Sequence, residues 1–127
     1  MSVLVDTSVW IGYFSKGEYI RLERLIKEDL VVTNDLILAE LLPFMHKAGA
    51  FKAMHALEAI EKKELQIHWP SIIEMQKLNL SNGYNGIGIP DLIICQHCIQ
   101  HDYWLWTNDK HFTFMKEYTE LKLYADQ

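Results

Sequence analysis

Long apolar runs and cysteine are both scarce in this sequence. No apolar stretch approaches the ~18 residues that a membrane span needs, and the start carries no basic segment leading into an apolar signal core. The expected compartment is therefore the cytoplasm, with no membrane partner. Two cysteines without a secretory signal are expected to stay reduced. Internal repeats, low-complexity tracts and linker-like stretches are also missing, so residues 1–127 are expected to form one domain. A chain of that length buries roughly two-thirds of its unfolded surface. A basic excess is absent as well: 17 acidic residues face 12 lysines and arginines, for a net charge of −5. That sign argues against an extended basic groove for nucleic acid. What the chain does have is ordinary for a soluble globular protein, with 50% hydrophobic and 23% charged residues.

The pattern along the chain alternates strands with helices. Val3–Val5 and Leu30–Thr33 are short, β-branched apolar runs of strand type. Residues 18–29 place Ile20, Leu22, Leu25 and Ile26 at helical spacing, and Asn34 or Asp35 caps a further helix that Pro43 kinks or shortens. Ala50–Lys63 reads as a helix and Leu65–Trp69 as an alternating strand, before Pro70 opens another helix. Ser81–Gly88, with three glycines and two asparagines, is a loop. Pro90 stands where a helix over Asp91–His101 begins. Tyr103–Thr107 and Leu121–Tyr124 complete the strands. Such alternation predicts right-handed βαβ units and a mostly parallel sheet.

In such sheets ligands bind beyond the carboxyl ends of the strands. Asp6 ends the run Val3-Leu4-Val5, and Asp109 stands the same way after Tyr103–Thr107. Glu40 interrupts the apolar run Leu36–Leu42, and Asp91 precedes Leu92-Ile93-Ile94. A charge so embedded is costly without a partner. Four converging acids repel one another, and a divalent cation cures the repulsion. An all-oxygen ligand set favours Mg²⁺ or Mn²⁺ over zinc. Such an ion polarises a phosphoryl oxygen and lowers the pKa of a bound water, which is the chemistry of phosphodiester hydrolysis.

The stretches VLVDTSVW, AELL, GIGIPDLIICQHC and WTNDKHF, in that order and spacing, resemble the PIN domain family and most closely its VapC-type toxins. The resemblance covers essentially the whole chain. It implies a three-layer α/β/α sandwich with a mostly parallel central sheet. It also implies a Mg²⁺- or Mn²⁺-dependent endoribonuclease, a homodimer, and inhibition by a small antitoxin protein. Its acidic quartet falls on Asp6, Glu40, Asp91 and Asp109, the expected metal-holding and catalytic residues. Ser8 and Thr107 fall on supporting hydroxyl positions that hydrogen-bond a carboxylate or a metal-bound water. The chain departs from the pattern before Asp91, where Asn82-Gly83-Tyr84-Asn85-Gly86 lacks the basic residue that many relatives carry.

Plainer readings compete at each position. Asp6 also fits a helix N-cap, Glu40 an ion-pair partner of His46 or Lys47, and Asp91 a first-turn acid favoured by the helix dipole. None of the three explains why all four motifs occur together. Cys95, His97, Cys98 and His101 mimic metal or redox spacing. They lie inside a helix, however, whereas redox pairs use a helix N-terminus to lower the thiol pKa. Both cysteines are therefore expected to be small buried fillers. Lys110 and His111 fit either a phosphate contact or a solvated surface pair, and the four tryptophans fit core packing or a dimer surface better than base stacking. With the four acids assigned to the site, 13 acidic residues face 12 basic ones. A near-neutral remainder favours a compact, structured RNA over a long nonspecific track. The alternative functions are a catalytically silent PIN-like RNA-binding or protein-interaction module, or a nuclease of RNA maturation.

Overall fold

The computed structural model describes residues 1–125. Its elements are β1 (Val3–Val5), α1 (Thr7–Lys16), α2 (Arg21–Lys27), β2 (Val31–Thr33), α3 (Asp35–Lys47), α4 (Phe51–Glu58), β3 (Glu61–Lys62), α5 (Trp69–Ser81), α6 (Ile89–His101), β4 (Trp104–Trp106), α7 (Lys110–Lys116) and β5 (Lys122–Leu123). All strands pair in parallel, in the order β3-β2-β1-β4-β5.

That order explains the layers. From β1 the chain steps outward to β2 and β3, then returns past β1 to lay down β4 and β5. Right-handed crossovers put the helices of the two halves on opposite faces. α1, α3 and α4 pack together, as do α5, α6 and α7. The result is the expected α/β/α sandwich. The central strand β1 is covered on both sides, and Val3, Leu4 and Val5 have no exposed surface. Leu41 of α3, Leu92 of α6 and Phe112 of α7 are likewise fully buried. Each such side chain contributes roughly 1.5–3 kcal/mol relative to leaving it in water.

Local chemistry sets the element ends. Asn34 caps α3, its side chain accepting from the Ile37 N–H at 2.9 Å. Pro43 lies inside α3 without ending it. Pro90 stands in the first turn of α6, where its missing N–H costs nothing. The predicted helix over 18–29 shortens to Arg21–Lys27 because Tyr19 and Asp29, at φ 62° and 58°, leave helical space on either side.

Two sequence expectations fail between residues 58 and 69. The helix read from Ala50 to Lys63 stops at Glu58, and Glu61–Lys62 becomes the edge strand, in register with Val32 and Thr33. The strand expected over Leu65–Trp69 does not form. Its backbone is satisfied by a side chain instead: Gln96 of α6 accepts from the His68 N–H and donates to the Gln66 carbonyl, each at 3.0 Å. Helix α7 was not anticipated from the sequence pattern, and α1 entered only through the alternative reading of Asp6 as a helix N-cap.

Cys95 and Cys98 are free, buried and in the middle of α6. Burial pushes the Cys95 thiol up to about 12 and raises Cys98 as well. Both are protonated at neutral pH, as packing residues are.

Candidate active site

Because every strand runs the same way, all carboxyl ends lie on one edge. The strand order reverses between β1 and β4, and the crevice at such a switch point is where open α/β sheets bind ligands. Asp6 leaves β1 at this point, and Thr107 to Asp109 leave β4 beside it. Helices in βαβ units run antiparallel to the strands, so α6 begins above the same edge and brings Asp91 in its first turn. Glu40 comes from the second turn of α3, which starts just past β2.

Asp6 occupies the N-cap position of α1 but makes no capping bond with its side chain. Its Oδ2 accepts from Ser8 Oγ at 2.9 Å and from Thr107 Oγ1 at 2.8 Å. The same hydroxyls continue the network: Asn108 N–H donates to Ser8 Oγ at 3.1 Å and Asp109 N–H to Thr107 Oγ1 at 3.0 Å. The two strand ends are thus tied together through one carboxylate. Asp109 in turn caps α7, accepting from the His111 N–H at 2.9 Å. The loop is braced from outside by Tyr19, whose hydroxyl bonds Asn108 and whose ring meets Trp106 edge-on at 5.6 Å.

The electrostatics show crowding. Asp6 is 8% exposed, and burial raises its carboxyl above the ordinary value. The Thr107 and Ser8 hydroxyls and the Thr7 backbone pull it down, while the Asp91 charge adds to the rise. Glu40 is raised by desolvation, then by the charges of Asp6 and Asp91. The buried Thr7 hydroxyl, which completes no full hydrogen bond, acts on Glu40 in the opposite direction. Three of the four predicted acids therefore feel one another directly.

The fourth joins through Asp91. Ligand atoms of Asp91, Asp109 and His111 all lie within 4.8 Å of one another, close enough to share one ion. His111 Nδ1 is 2.8 Å from Asp91 Oδ2 and 3.6 Å from Asp109 Oδ1. His111 is the residue that sequence reasoning undervalued as a surface or phosphate contact. The available signal was the cap: an Asp109 that holds the His111 N–H fixes this side chain at the edge of the site.

One embedded charge is corrected. Glu40 is exposed, because the buried stripe of α3 is Ile37, Leu41 and Met45, and position 40 lies off it. Its carboxyl is nevertheless near enough to Asp6 and Asp91 to be raised by both. No ion pair joins it to His46 or Lys47 among the described residues. Among the described residues only Asp91, Asp109 and His111 bring ligand atoms close enough to share one ion; Asp6 and Glu40 stand outside that group and reach it through charge alone, and carboxylates of this kind suit a hard divalent cation.

The PIN domain model matches residues 3–117. The chain belongs to the PIN domain family. Solved structures extend the likeness over nearly the full length. VapBC2 from Rickettsia felis, bound to a DNA fragment from their promoter, superimposes with a TM-score of 0.77 at 22% identity, covering 98% of each chain. VapBC-1 from nontypeable Haemophilus influenzae gives 0.73 at 18%, again covering 98% of each. Mycobacterium tuberculosis VapC20, a sarcin–ricin loop cleaving toxin, gives 0.59 at 14%, over 89% of this chain and 94% of that one. No curated protein sequence matches the chain. This PIN domain has no helix, among the described residues, long and apolar enough to cross a membrane.

Proposed function

We propose that this PIN domain is a Mg²⁺- or Mn²⁺-dependent endoribonuclease, the toxin of a type II toxin–antitoxin pair. Its catalytic and metal-holding residues are Asp6, Glu40, Asp91 and Asp109. The observation that carries the reading is the gathering at the switch point of Asp91, Asp109 and His111, close enough to share one ion, beside an Asp6 carboxylate held by Ser8 and Thr107. A module that only binds has no use for an arrangement that repels itself.

When bound, the cation supplies charge for the phosphoryl oxygen and a water of lowered pKa. The chain supplies the geometry. Ser8 and Thr107 fix the Asp6 carboxylate by donating to Oδ2, so that it approaches from one direction only. Thr107 also sets Asp109 by accepting from its N–H. Glu40, exposed at the edge, would join Asp6, Asp91 and Asp109 in holding the cation and its waters.

The likeness to a toxin that cleaves the sarcin–ricin loop supports a structured RNA as substrate. Likeness to VapBC complexes supports a small antitoxin, which neutralises the site with an arginine, since a planar guanidinium bonds a carboxylate pair bidentately. A second copy is supported by an apolar stripe over α5 and the start of α6, where Trp69, Ile73, Leu80 and Ile89 are all exposed. Trp69→Glu should then shift the elution of the protein from dimer to monomer. One domain acting in the cytoplasm completes the proposal.

Induced expression in a bacterial host tests the function. The reading requires growth arrest, new 5′-phosphate RNA ends at a defined position, and rescue by the protein encoded beside this chain. Unimpaired growth with an unchanged map of RNA ends contradicts it and favours the silent module.

A further inference from the structure

Asn34 and His97 form a polar pair in the apolar interior, with 0% and 2% of their surface exposed. Asn34 Nδ2 lies 2.9 Å from His97 Nδ1, across 63 residues of sequence. The proton positions follow from the neighbours. Asn34 Oδ1 is engaged by the Ile37 N–H, so Nδ2 is the group left to donate, and Nδ1 of His97 accepts. The imidazole is neutral, with its hydrogen on Nε2. That atom has no hydrogen-bond partner, and the His97 ring packs edge-on against the rings of His101 and Tyr103, with centroids 5.1 and 5.5 Å away. Burial, reinforced by His101, lowers the His97 pKa to about 4, which keeps the ring uncharged at neutral pH.

A buried polar pair gains little over well-packed apolar side chains, and its use is to specify geometry. Here the bond links the two helix layers, running from the start of α3, just past β2, to the middle of α6. Asn34 is the cap of α3, six residues before Glu40, and His97 is six residues after Asp91 on α6. An apolar contact slides with little penalty, whereas a directional bond between a capped helix start and a ring does not.

We propose that Asn34 and His97 are positioning residues for the acidic centre, their hydrogen bond setting the register between the helices that carry Glu40 and Asp91. Neither touches substrate or metal. The inference rests on the metal-site reading above and adds two buried residues to it.

The test measures Mn²⁺ binding to the purified full chain by calorimetry, well below the melting temperature, alongside kcat and KM. Asn34→Ser keeps an N-capping oxygen but removes the amide group that reaches His97, and His97→Leu removes the acceptor. Each is expected to weaken Mn²⁺ binding about tenfold, the range in which supporting partners of metal ligands act. kcat should fall while KM stays near its original value. The double variant should be no worse than the poorer single one, because both break the same bond. His97→Gln, whose amide oxygen can accept from Asn34, should stay within about twofold of wild type. Single variants that melt lower yet bind Mn²⁺ with unchanged affinity would reduce the pair to a structural role and overturn the proposal. A wild-type chain that takes up no Mn²⁺ overturns the metal reading itself, and the positioning role with it.

Discussion

Thr107→Val isolates the bond that joins the two strand ends. Valine keeps the shape of threonine and removes the hydroxyl that donates to Asp6 Oδ2 at 2.8 Å and accepts from Asp109 N–H at 3.0 Å. A hydrogen bond to a charged group contributes about 1.5–3 kcal/mol. Ser8 and the Thr7 backbone still serve Asp6, and water can reach the half-exposed Asp109 loop, so a loss of ~2 kcal/mol is the working value. The unfolding entropy of a domain this long is roughly 0.27 kcal/mol per degree, which makes that loss about 7 °C in Tm. The effect has a pH signature. Thr107 stabilises the ionised form of Asp6, so its contribution is present above the folded pKa, which lies above the ordinary 3.8. It fades as pH falls through that value and the carboxyl takes its proton. Melting curves in EDTA from pH 7 down to about pH 4 should therefore show the gap between wild type and variant narrowing. A gap that is negligible at pH 7, or the same at both ends of the range, would mean that Asp6 is not held as a buried carboxylate by this hydroxyl.

Asp6→Asn should raise Tm in EDTA at pH 7 while abolishing cleavage, since the amide escapes the burial and repulsion that lift the Asp6 pKa. The penalty it removes is absent below about pH 3.8 and complete above the folded pKa, so the gain must vanish on acidification and narrow when Mg²⁺ is added; a lower Tm for the variant in EDTA would refute it. The same gain is not expected for Asp91→Asn, because the substitution also disturbs the 2.8 Å contact between Asp91 Oδ2 and His111 Nδ1. Changing Cys95 and Cys98 together to Ala should leave nuclease activity within a few-fold and reduce stability by ~1–2 kcal/mol through lost packing. Stoichiometric zinc in the purified protein, lost together with activity in this variant, would reverse the packing assignment.

Strand ends were the most legible part of the chain. Val3-Leu4-Val5 followed by Asp6 combines a buried strand with a charge, and a parallel sheet turns that juxtaposition into an edge site without further information. Asp91 was legible because Pro90 marks the start of its helix. The positions of Glu40 and His111 were not, since both depend on which face of a helix is turned to a neighbour. Leu36 to Leu42 is so uniformly apolar that no stripe can be read from it, and only packing selects Ile37, Leu41 and Met45. β3 was missed because Glu61 and Lys62 are charged and exposed, and they form a strand by pairing their backbone with β2. The segment 65–69 alternates like a strand, yet its partner proved to be the side chain of Gln96, a long-range contact with no local signal. For the same reason Asn34 was readable as a cap, and its bond to His97 was not.

The most direct measurement of the central claim is cleavage of a structured RNA by the purified chain, with and without divalent metal, followed by identification of the product ends. Water delivered by an acid-held cation leaves a 5′-phosphate and a 3′-hydroxyl, whereas a metal-free ribonuclease that uses histidine and the 2′-hydroxyl leaves a cyclic phosphate. The account predicts 5′-phosphate ends, full dependence on Mg²⁺ or Mn²⁺, and loss of cleavage in Asp91→Asn. Undiminished activity in excess EDTA, or 2′,3′-cyclic phosphate products, would contradict it.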